Sequence, residues 1–309
     1  MTHEVYLEKG LAYNRIGDYD KAIEYFDKAI ELKPDDTMIY SQMGIAYYKK
    51  SNYDEAIKCY EKAVDLKHDF AYVVYRCMGL AYQGKLNYNK AIQCYEKAID
   101  LKHDSVDYHY MGIAYYRKHR CDKAIEYYEI AIDLNPNYAE AYNEMGIAFL
   151  YGKDNYDEAI RCFEKAIDLD PNYAEAYNEM GVTYSRKGND NKAIECFEKA
   201  IDLKPNYAMA HICMGALYCD KNNYDKAIKC FEKAVDLESD NSLAYNFMGK
   251  AYQKEGNYDK AIKCFENAIN LKPNYADFYD NMGLTYQALG NQEMADYYFK
   301  KADEIRLNK

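Results

Sequence analysis

The fold of this chain is decided by residues 174–207, which read AEAYNEMGVTYSRKGNDNKAIECFEKAIDLKPNY. Apolar residues recur at helical spacing in the first half, in an i, i+3, i+7 stripe that ends at Tyr184. Gly188 lies where a first helix should end, because glycine tolerates the positive φ found at helix C-termini. Pro205 follows the second half and prevents its helix from continuing. The stretch therefore predicts two amphipathic α-helices joined by a short turn.

The same pattern recurs nine times along the 309 residues. Each copy has a glycine, an aromatic residue three positions later, and two alanines seven residues apart in its second half. The glycines, spaced by 33 to 35 residues, are Gly10, Gly44, Gly79, Gly112, Gly146, Gly181, Gly215, Gly249 and Gly283. With the glycine as position eight, the copies cover approximately residues 3–36, 37–70, 72–104, 105–138, 139–173, 174–207, 208–241, 242–275 and 276–309. A fixed period of this length indicates a repeat protein, in which each unit buries its apolar face against its neighbours.

These copies resemble the tetratricopeptide repeat, a helix-turn-helix unit whose helices are termed A and B. The resemblance runs from about Thr2 to the last residue. It implies an all-α fold, a right-handed superhelical α-solenoid of stacked repeats that forms a single domain over residues 1–309. The glycine at position eight and the alanines at positions twenty and twenty-seven fit this fold, because small side chains let two helix axes approach to ~8–10 Å. Asn137 and Asn172, each followed three residues later by a glutamate, resemble the N-caps of two A helices.

The composition restricts the partners and the location of the protein. Lys and Arg total 40 against 51 Asp and Glu, which gives a net charge of -11. This excess of acid disfavours nucleic acid and anionic membranes as partners, because both bind clusters of positive charge. The first residues lack the basic and apolar regions of a secretory signal, and no apolar run is long enough to span a membrane. We therefore expect a cytoplasmic protein that is not secreted, with a nuclear location left open.

The ten cysteines do not predict a metal site or disulfides. Six of them share position twenty-three of their repeats: Cys59, Cys94, Cys162, Cys196, Cys230 and Cys264. Equivalent positions of stacked repeats lie ~8–10 Å apart or more, which exceeds the reach of a disulfide or of a shared zinc ion. We expect these cysteines to be small core residues, and we expect no cofactor.

The ninth repeat differs from the others on one face of helix B. Asp296 and Asp303 replace the isoleucine or valine that the first eight repeats have at positions twenty-one and twenty-eight. Because terminal repeats need a polar outer face, we expect this face to cap the stack. Self-association through the ends is the alternative.

The resemblance also implies a binding surface, because helix A positions two, five, six, nine, twelve and thirteen line a concave groove in this family. Repeats five and six have identical openings there, with Asn143 and Asn178 at position five and Glu144 and Glu179 at position six. Asparagine can hydrogen-bond the backbone of an extended peptide, and the carboxylates favour a basic ligand. Ile147 and Val182 add apolar surface at position nine, but the glutamates fit ordinary solvated surface equally well.

Two further groups on this surface are candidates for binding. Repeats three and four place Arg76, His109 and Arg117 near one another, which fits either an acidic segment or plain surface variation. Lys250 is the exception at position nine, where the other repeats are apolar; Asn246 and Asn281 occupy positions five and six nearby. The family's carboxylate clamp is absent, because position five is never lysine and position nine is never asparagine.

We interpret the chain as a non-catalytic scaffold that binds an extended peptide or helix of a partner protein in its groove. The six histidines (His3, His68, His103, His109, His119 and His211) are scattered and form no catalytic motif, so we do not expect an enzyme. The alternatives are a self-assembling scaffold, or a regulatory subunit of a multiprotein complex. Glycosyltransferases with similar repeats are one precedent for such a complex, but their chemistry lies in a separate domain.

Overall fold

A computed structural model describes residues 2–67 and 69–307, which form eighteen α-helices and no β-strand. The helices are α1 His3–Ile16, α2 Tyr19–Leu32, α3 Thr37–Lys49, α4 Tyr53–Asp65, α5 Ala71–Gly84, α6 Tyr88–Leu101, α7 Ser105–Arg117, α8 Cys121–Leu134, α9 Ala139–Lys153, α10 Tyr156–Leu169, α11 Ala174–Arg186, α12 Asp190–Leu203, α13 Ala208–Asp220, α14 Tyr224–Leu237, α15 Ser242–Glu255, α16 Tyr258–Leu271, α17 Ala276–Ala288 and α18 Gln292–Leu307. His68 and the last two residues of the ninth repeat lie outside the described residues. The all-α prediction is confirmed, with odd-numbered helices as helix A and even-numbered helices as helix B of each repeat.

The helices form two compact units, Met1–Asn155 and Tyr156–Lys309. The boundary falls within the fifth repeat, between α9 and α10. In the first unit each helix from α1 to α9 packs against the next, and in the second unit the helices from α10 to α18 do the same. A single domain over the whole chain stays a prediction.

The glycine at position eight is required by an aromatic ring of helix B in the same repeat. A Cβ atom on Gly44 would lie 2.4 Å from Cε1 of Tyr60, and one on Gly215 would lie 2.6 Å from Cε1 of Phe231. The same ring contact recurs at Gly10, Gly79, Gly112, Gly181, Gly249 and Gly283. The alanines at positions twenty and twenty-seven are fully buried beside these rings, so the predicted role of the small residues is confirmed.

The cysteines at position twenty-three are buried, as predicted for core residues, and all ten cysteines of the described chain are free. The residues of that same part contain no cluster of three His, Cys, Asp or Glu side chains arranged to hold a metal. None of its helices is both long and apolar enough to cross a membrane. Asp296 and Asp303 on the final helix are exposed.

The predicted N-caps of α9 and α11 are wrong. These helices are capped by Tyr138 and Tyr173, which make no side-chain cap hydrogen bond. Asn137 and Asn172 instead lie in the preceding turn, where their backbone N–H groups donate to the side chains of Asn135 and Asp170. Side-chain caps occur at several B helices, as with Asn52, whose Oδ1 accepts from the N–H of Glu55, and at the A helices α3, α7 and α15.

A row of polar contacts joins the end of helix A to the start of the preceding helix B. In the first unit Lys50, Lys85 and Lys153 bind Asp20, Asp54 and Asp122, and Lys118 binds Asn89. In the second unit the Nζ atoms of Lys187 and Lys221 lie 2.5 and 2.7 Å from carboxylate oxygens of Asp157 and Asp190. Each lysine lies at a helix C-terminus and each of these aspartates in a helix first turn, so both charges also suit the helix dipoles.

Candidate protein-interaction surface

Helix A positions two, five, six, nine, twelve and thirteen contain the candidate site residues, and we call their surface the helix A face. Within the first unit α1 packs on α3, α3 on α5 and α7 on α9. Within the second unit α11 packs on α13, α13 on α15 and α15 on α17. Each unit therefore presents its own stretch of helix A face, assembled from neighbouring repeats.

Arg76, at position five of α5, is held by two aspartates of the next repeat. Its Nε and Nη2 atoms donate to the two carboxylate oxygens of Asp107 at 2.6 and 2.8 Å, and Nη2 lies 3.1 Å from Asp104. Asp107 is fully buried, and these hydrogen bonds raise the pKa of Arg76. The guanidinium thus has partners inside the protein, and an acidic ligand would have to compete with two carboxylates for it.

His109, at position five of α7, is buried and neutral. Only 7% of its surface is exposed, its Nδ1 lies 3.0 Å from the hydroxyl of Tyr138, and Nε2 has no partner among the described residues. Burial lowers the pKa of His109 to about 4, so the ring carries no charge at neutral pH. Arg117 is exposed at the end of the same helix. Of the three residues predicted to hold an acidic segment, only Arg117 presents its charge to solvent.

An apolar pocket of about 190 Å³ opens on the helix A face between α3 and α5. Its lining residues are Met38, Ser41, Gln42, Ile45, Tyr60, Phe70, Val73, Val74 and Cys77. Met38 is 41% exposed and Phe70 54%, so a partner side chain that entered the pocket would remove apolar surface from water. The sequence analysis did not select this pocket, although apolar residues at position two, Met38 and Val73, signal it.

The last A helix of the first unit, α9, carries Asn143, Glu144 and Ile147. Asn143 is 3% exposed, and its Oδ1 has no hydrogen-bond partner in the described part of the chain. Glu144 and Ile147 are half-buried beside it. The oxygen is itself buried, so it becomes an acceptor for a ligand N–H when the side chain turns toward the helix A face.

The first A helix of the second unit, α11, repeats this arrangement. Asn178 is 1% exposed, its Nδ2 donates to Oε1 of Glu179 at 3.2 Å, and its Oδ1 also lacks a partner within the described residues. Val182 is half-buried on the same helix. Glu175, one turn earlier, pairs with Lys204 at 2.6 Å; burial opposes ionisation, but this hydrogen bond leaves the pKa of Glu175 lowered.

Asn246 and Asn281 bind each other across α15 and α17. The Nδ2 of Asn281 donates to Oδ1 of Asn246 at 2.8 Å, and both side chains are buried. The backbone carbonyl of Asn281 also accepts a hydrogen bond from Thr285. These two predicted site residues therefore join adjacent repeats.

Lys250 borders a groove of about 400 Å³ between α13 and α15. The groove is lined by Ala216, Cys219, Asp220, Asn222, Tyr224, Phe247, Lys250 and Lys254. The Nζ of Lys250 lies 5.8 Å from the centre of the Phe247 ring, within the range of a cation–π interaction. This is a second cavity on the helix A face, and it differs from the apolar pocket of the first unit in its charge.

Consecutive helix pairs with a uniform core and a varied helix A face define a helical-repeat protein that offers a binding surface. Comparison with known families specifies the class further. A family described as "Tetratricopeptide repeat protein 21 N-terminal ARM repeat" matches residues 13–228, "TPR repeat" matches 215–256 and 249–290, and "Tetratricopeptide repeat" matches 276–309. The chain belongs to the tetratricopeptide repeat family, and this membership supports a protein-interaction scaffold in general.

Two solved structures that match almost the whole chain have the same fold. The APC/C hetero-tetramer Cut9–Hcn1 is 16% identical over 99% of this chain and 74% of that chain, with a TM-score of 0.62. A monomeric mutant of IFIT1 with Gppp-AAAA is 19% identical over 99% of this chain and 72% of that one, with a TM-score of 0.60. YrrB, titled a TPR protein with an unusual peptide-binding site, is 29% identical over 63% of this chain and 97% of its own, with a TM-score of 0.47. A search of the curated proteins finds no match.

Proposed function

We propose that this protein is a non-catalytic scaffold that binds an extended peptide or a helix of a partner protein along its helix A face. The observation that carries the proposal is the pair of unpartnered amide oxygens on Asn143 and Asn178, one in each unit. A buried acceptor left unsatisfied costs about 1–3 kcal/mol, and a backbone N–H of a bound peptide would recover that cost.

The neighbouring carboxylates give the partner its charge. Glu144 and Glu179 are half-buried next to these asparagines, so a lysine or arginine of the partner would approach them in a partly desolvated setting, where charge pairs are stronger than in water. A basic partner segment also suits the net charge of -11. Ile147 and Val182 supply apolar contact at position nine of the same helices.

Affinity capture from the source lysate, with identification by mass spectrometry, tests this proposal. Two variants are compared with the wild type, Asn143→Ala with Glu144→Lys in α9, and Asn178→Ala with Glu179→Lys in α11. We expect a captured protein to be lost or strongly reduced with at least one of them, which also locates the contact in one unit.

The matched control is Glu198→Lys, at an exposed glutamate on the B helix α12, which changes the net charge by the same amount as each variant. Introducing lysine there reverses charge on another surface of the second unit. Equal loss with the control would show that net charge alone determines capture, and equal capture by every variant would place the contact elsewhere. Either result contradicts the proposal.

A further inference from the structure

The groove beside Lys250 differs from the rest of the helix A face in its charge. Position nine is apolar in the other eight repeats, but in α15 it is a lysine whose stem is half-buried over Phe247. Lys254 follows one turn later and is exposed, and residues four apart lie on one face of a helix. Two ammonium groups therefore border one groove in a chain with an excess of acid.

Neither of these lysines is paired with a carboxylate of the described residues. Lys187, Lys204 and Lys221 of the second unit do pair with carboxylates, whereas Lys250 contacts the ring of Phe247. Among the described residues, Lys250 and Lys254 form no ion pair, and Asp220 is the one carboxylate that lines the groove. The groove thus carries two positive charges against one negative charge.

Part of the groove lining is apolar. Ala216, Cys219 and the ring of Phe247 line it together with the charged side chains, and the volume of about 400 Å³ accommodates more than one side chain. A ligand that fits must present an apolar group to Phe247 and negative charge to the two lysines.

We infer that this groove binds an acidic stretch of a partner peptide, in which a leucine-sized side chain contacts Phe247 and adjacent glutamate side chains reach Lys250 and Lys254. This inference rests on the proposed function and specifies the chemistry of the partner. In the same unit, Glu179 on α11 attracts the opposite charge. The helix A face of the second unit is therefore polarised, with acid on α11 and base on α15.

The spacing of the helices sets the spacing of the ligand charges. α11 packs on α13 and α13 packs on α15. Two helix-packing steps of ~8–10 Å cover roughly 16–20 Å. An extended peptide rises about 3.3 Å per residue, so the basic and acidic residues of the partner lie roughly five or six residues apart. This polarity determines the direction in which a partner segment crosses the second unit.

Fluorescence anisotropy with two synthetic peptides tests the inference. The first peptide carries Lys-Lys and Leu-Glu-Glu separated by a Gly/Ser spacer of that length, and the second has the same composition with the charges alternating. We expect the full chain to bind the first peptide about tenfold or more tightly, and added salt to reduce the difference because it screens the charges.

Paired variants distinguish binding in the groove from a general effect of the protein's net charge. Lys250→Glu with Lys254→Glu is expected to abolish the preference, and the milder Lys250→Gln with Lys254→Gln to reduce it, with folding verified by circular dichroism. Lys226→Glu with Lys260→Glu is the control, since these lysines lie over Tyr218 and Tyr252 and do not line the groove.

Equal binding of the two peptides, no binding of either, or equal effects of the groove and control variants would overturn the inference. If lysate capture still depends on Asn143 or Asn178 in that case, the proposed function stands and only the acidic subsite fails. If nothing is captured through those residues, the proposed function itself fails.

Discussion

Within each unit a polar bridge joins neighbouring A helices, and the bridge differs between the two units. Both bridges begin at position five. In the first unit Arg76 on α5 forms a bidentate ion pair with Asp107 on α7, whereas in the second unit the amides of Asn246 and Asn281 bind each other across α15 and α17. Position five thus serves the contact between repeats at Arg76 and at Asn246. The comparison also sharpens the proposed site, because Asn143 and Asn178 occupy the same position and leave their Oδ1 atoms unused.

The units differ in a second way, at the aromatic ring that packs on the glycine at position eight. The ring belongs to tyrosine in the second, third and fourth repeats (Tyr60, Tyr95 and Tyr128), and to phenylalanine in the first repeat and in the sixth to ninth (Phe26, Phe197, Phe231, Phe265 and Phe299). The hydroxyl of Tyr95 donates to Oε1 of Gln83 at 3.1 Å, whereas that of Tyr128 has no partner among the described residues. Packing is therefore the same in both units, and the difference lies in the polar atoms.

The largest expected effect follows from breaking the charged bridge. Arg76→Leu would leave the fully buried Asp107 without its partner, and such a loss costs about 3–5 kcal/mol. Asn246→Ala, the corresponding change in the neutral bridge, leaves an unpartnered amide and should cost about 1–3 kcal/mol. Urea unfolding followed by circular dichroism measures both free energies.

The double variant Arg76→Leu with Asp107→Leu is the control for the charged bridge. Replacing both partners by apolar residues should recover most of the lost stability, because no buried charge remains. A loss below about 1 kcal/mol for Arg76→Leu would show that the bridge does not stabilise the first unit.

The second effect is a pH dependence, to which both units contribute because burial lowers the pKa of His109 in the first unit and of His211 in the second. The pKa of His109 is lowered to about 4 by burial, while an unfolded histidine titrates near 6.5. Between these values the unfolded chain binds more protons, so stability falls as the pH decreases from about 6.5 to about 4 and is complete above that window. A shift of this size corresponds to roughly 3 kcal/mol.

The contribution of His109 is measured as a difference between wild type and His109→Gln in urea unfolding at several pH values. The rings of Tyr110, Tyr128 and Tyr138 surround the imidazole. We expect the difference in unfolding free energy to change through the window. A constant difference would contradict a buried neutral histidine.

The smallest effect concerns the tyrosine hydroxyls. Tyr95→Phe removes the hydrogen bond to Gln83 and should lower stability by about 1 kcal/mol, whereas Tyr128→Phe removes a buried hydroxyl without a partner and should raise stability by about 1 kcal/mol. Thermal unfolding of the two variants compares them directly. The same sign for both changes would mean that the Tyr128 hydroxyl is bound by ordered water.

Much of the fold was predictable because each determinant lies within a single repeat. Gly181 and Phe197 are sixteen residues apart, and Pro205 acts on the helix just before it. The N-caps of α9 and α11 were not predictable from the sequence. In α9, for example, Asn137 and Tyr138 are adjacent, and only the path of the backbone decides which of them precedes the helix. Local pattern therefore fixes helix pairs better than helix ends.

The surface was less predictable because its contacts join different repeats. The sequence of the third repeat alone predicts that Arg76 is free to bind a ligand. Its partner Asp107 lies 31 residues further along the chain, in the next repeat. Asn246 and Asn281 are 35 residues apart. The pocket beside Met38 and the groove beside Lys250 likewise need two repeats to form, so no pattern within one repeat reveals them.

The row of lysine contacts has a consequence for how such a chain can lengthen or shorten. In the repeats that carry these contacts, each repeat supplies an aspartate or asparagine to the following repeat and a lysine to the preceding one. A duplicated or deleted repeat therefore leaves every remaining lysine with a partner. The eighth and ninth repeats break this rule, because Glu255 and Leu289 occupy the lysine position near Asp225 and Asp259. The lysine row therefore places no limit on copy number up to the seventh repeat, whereas the bridge from Arg76 to Asp107 ties the third repeat to the fourth.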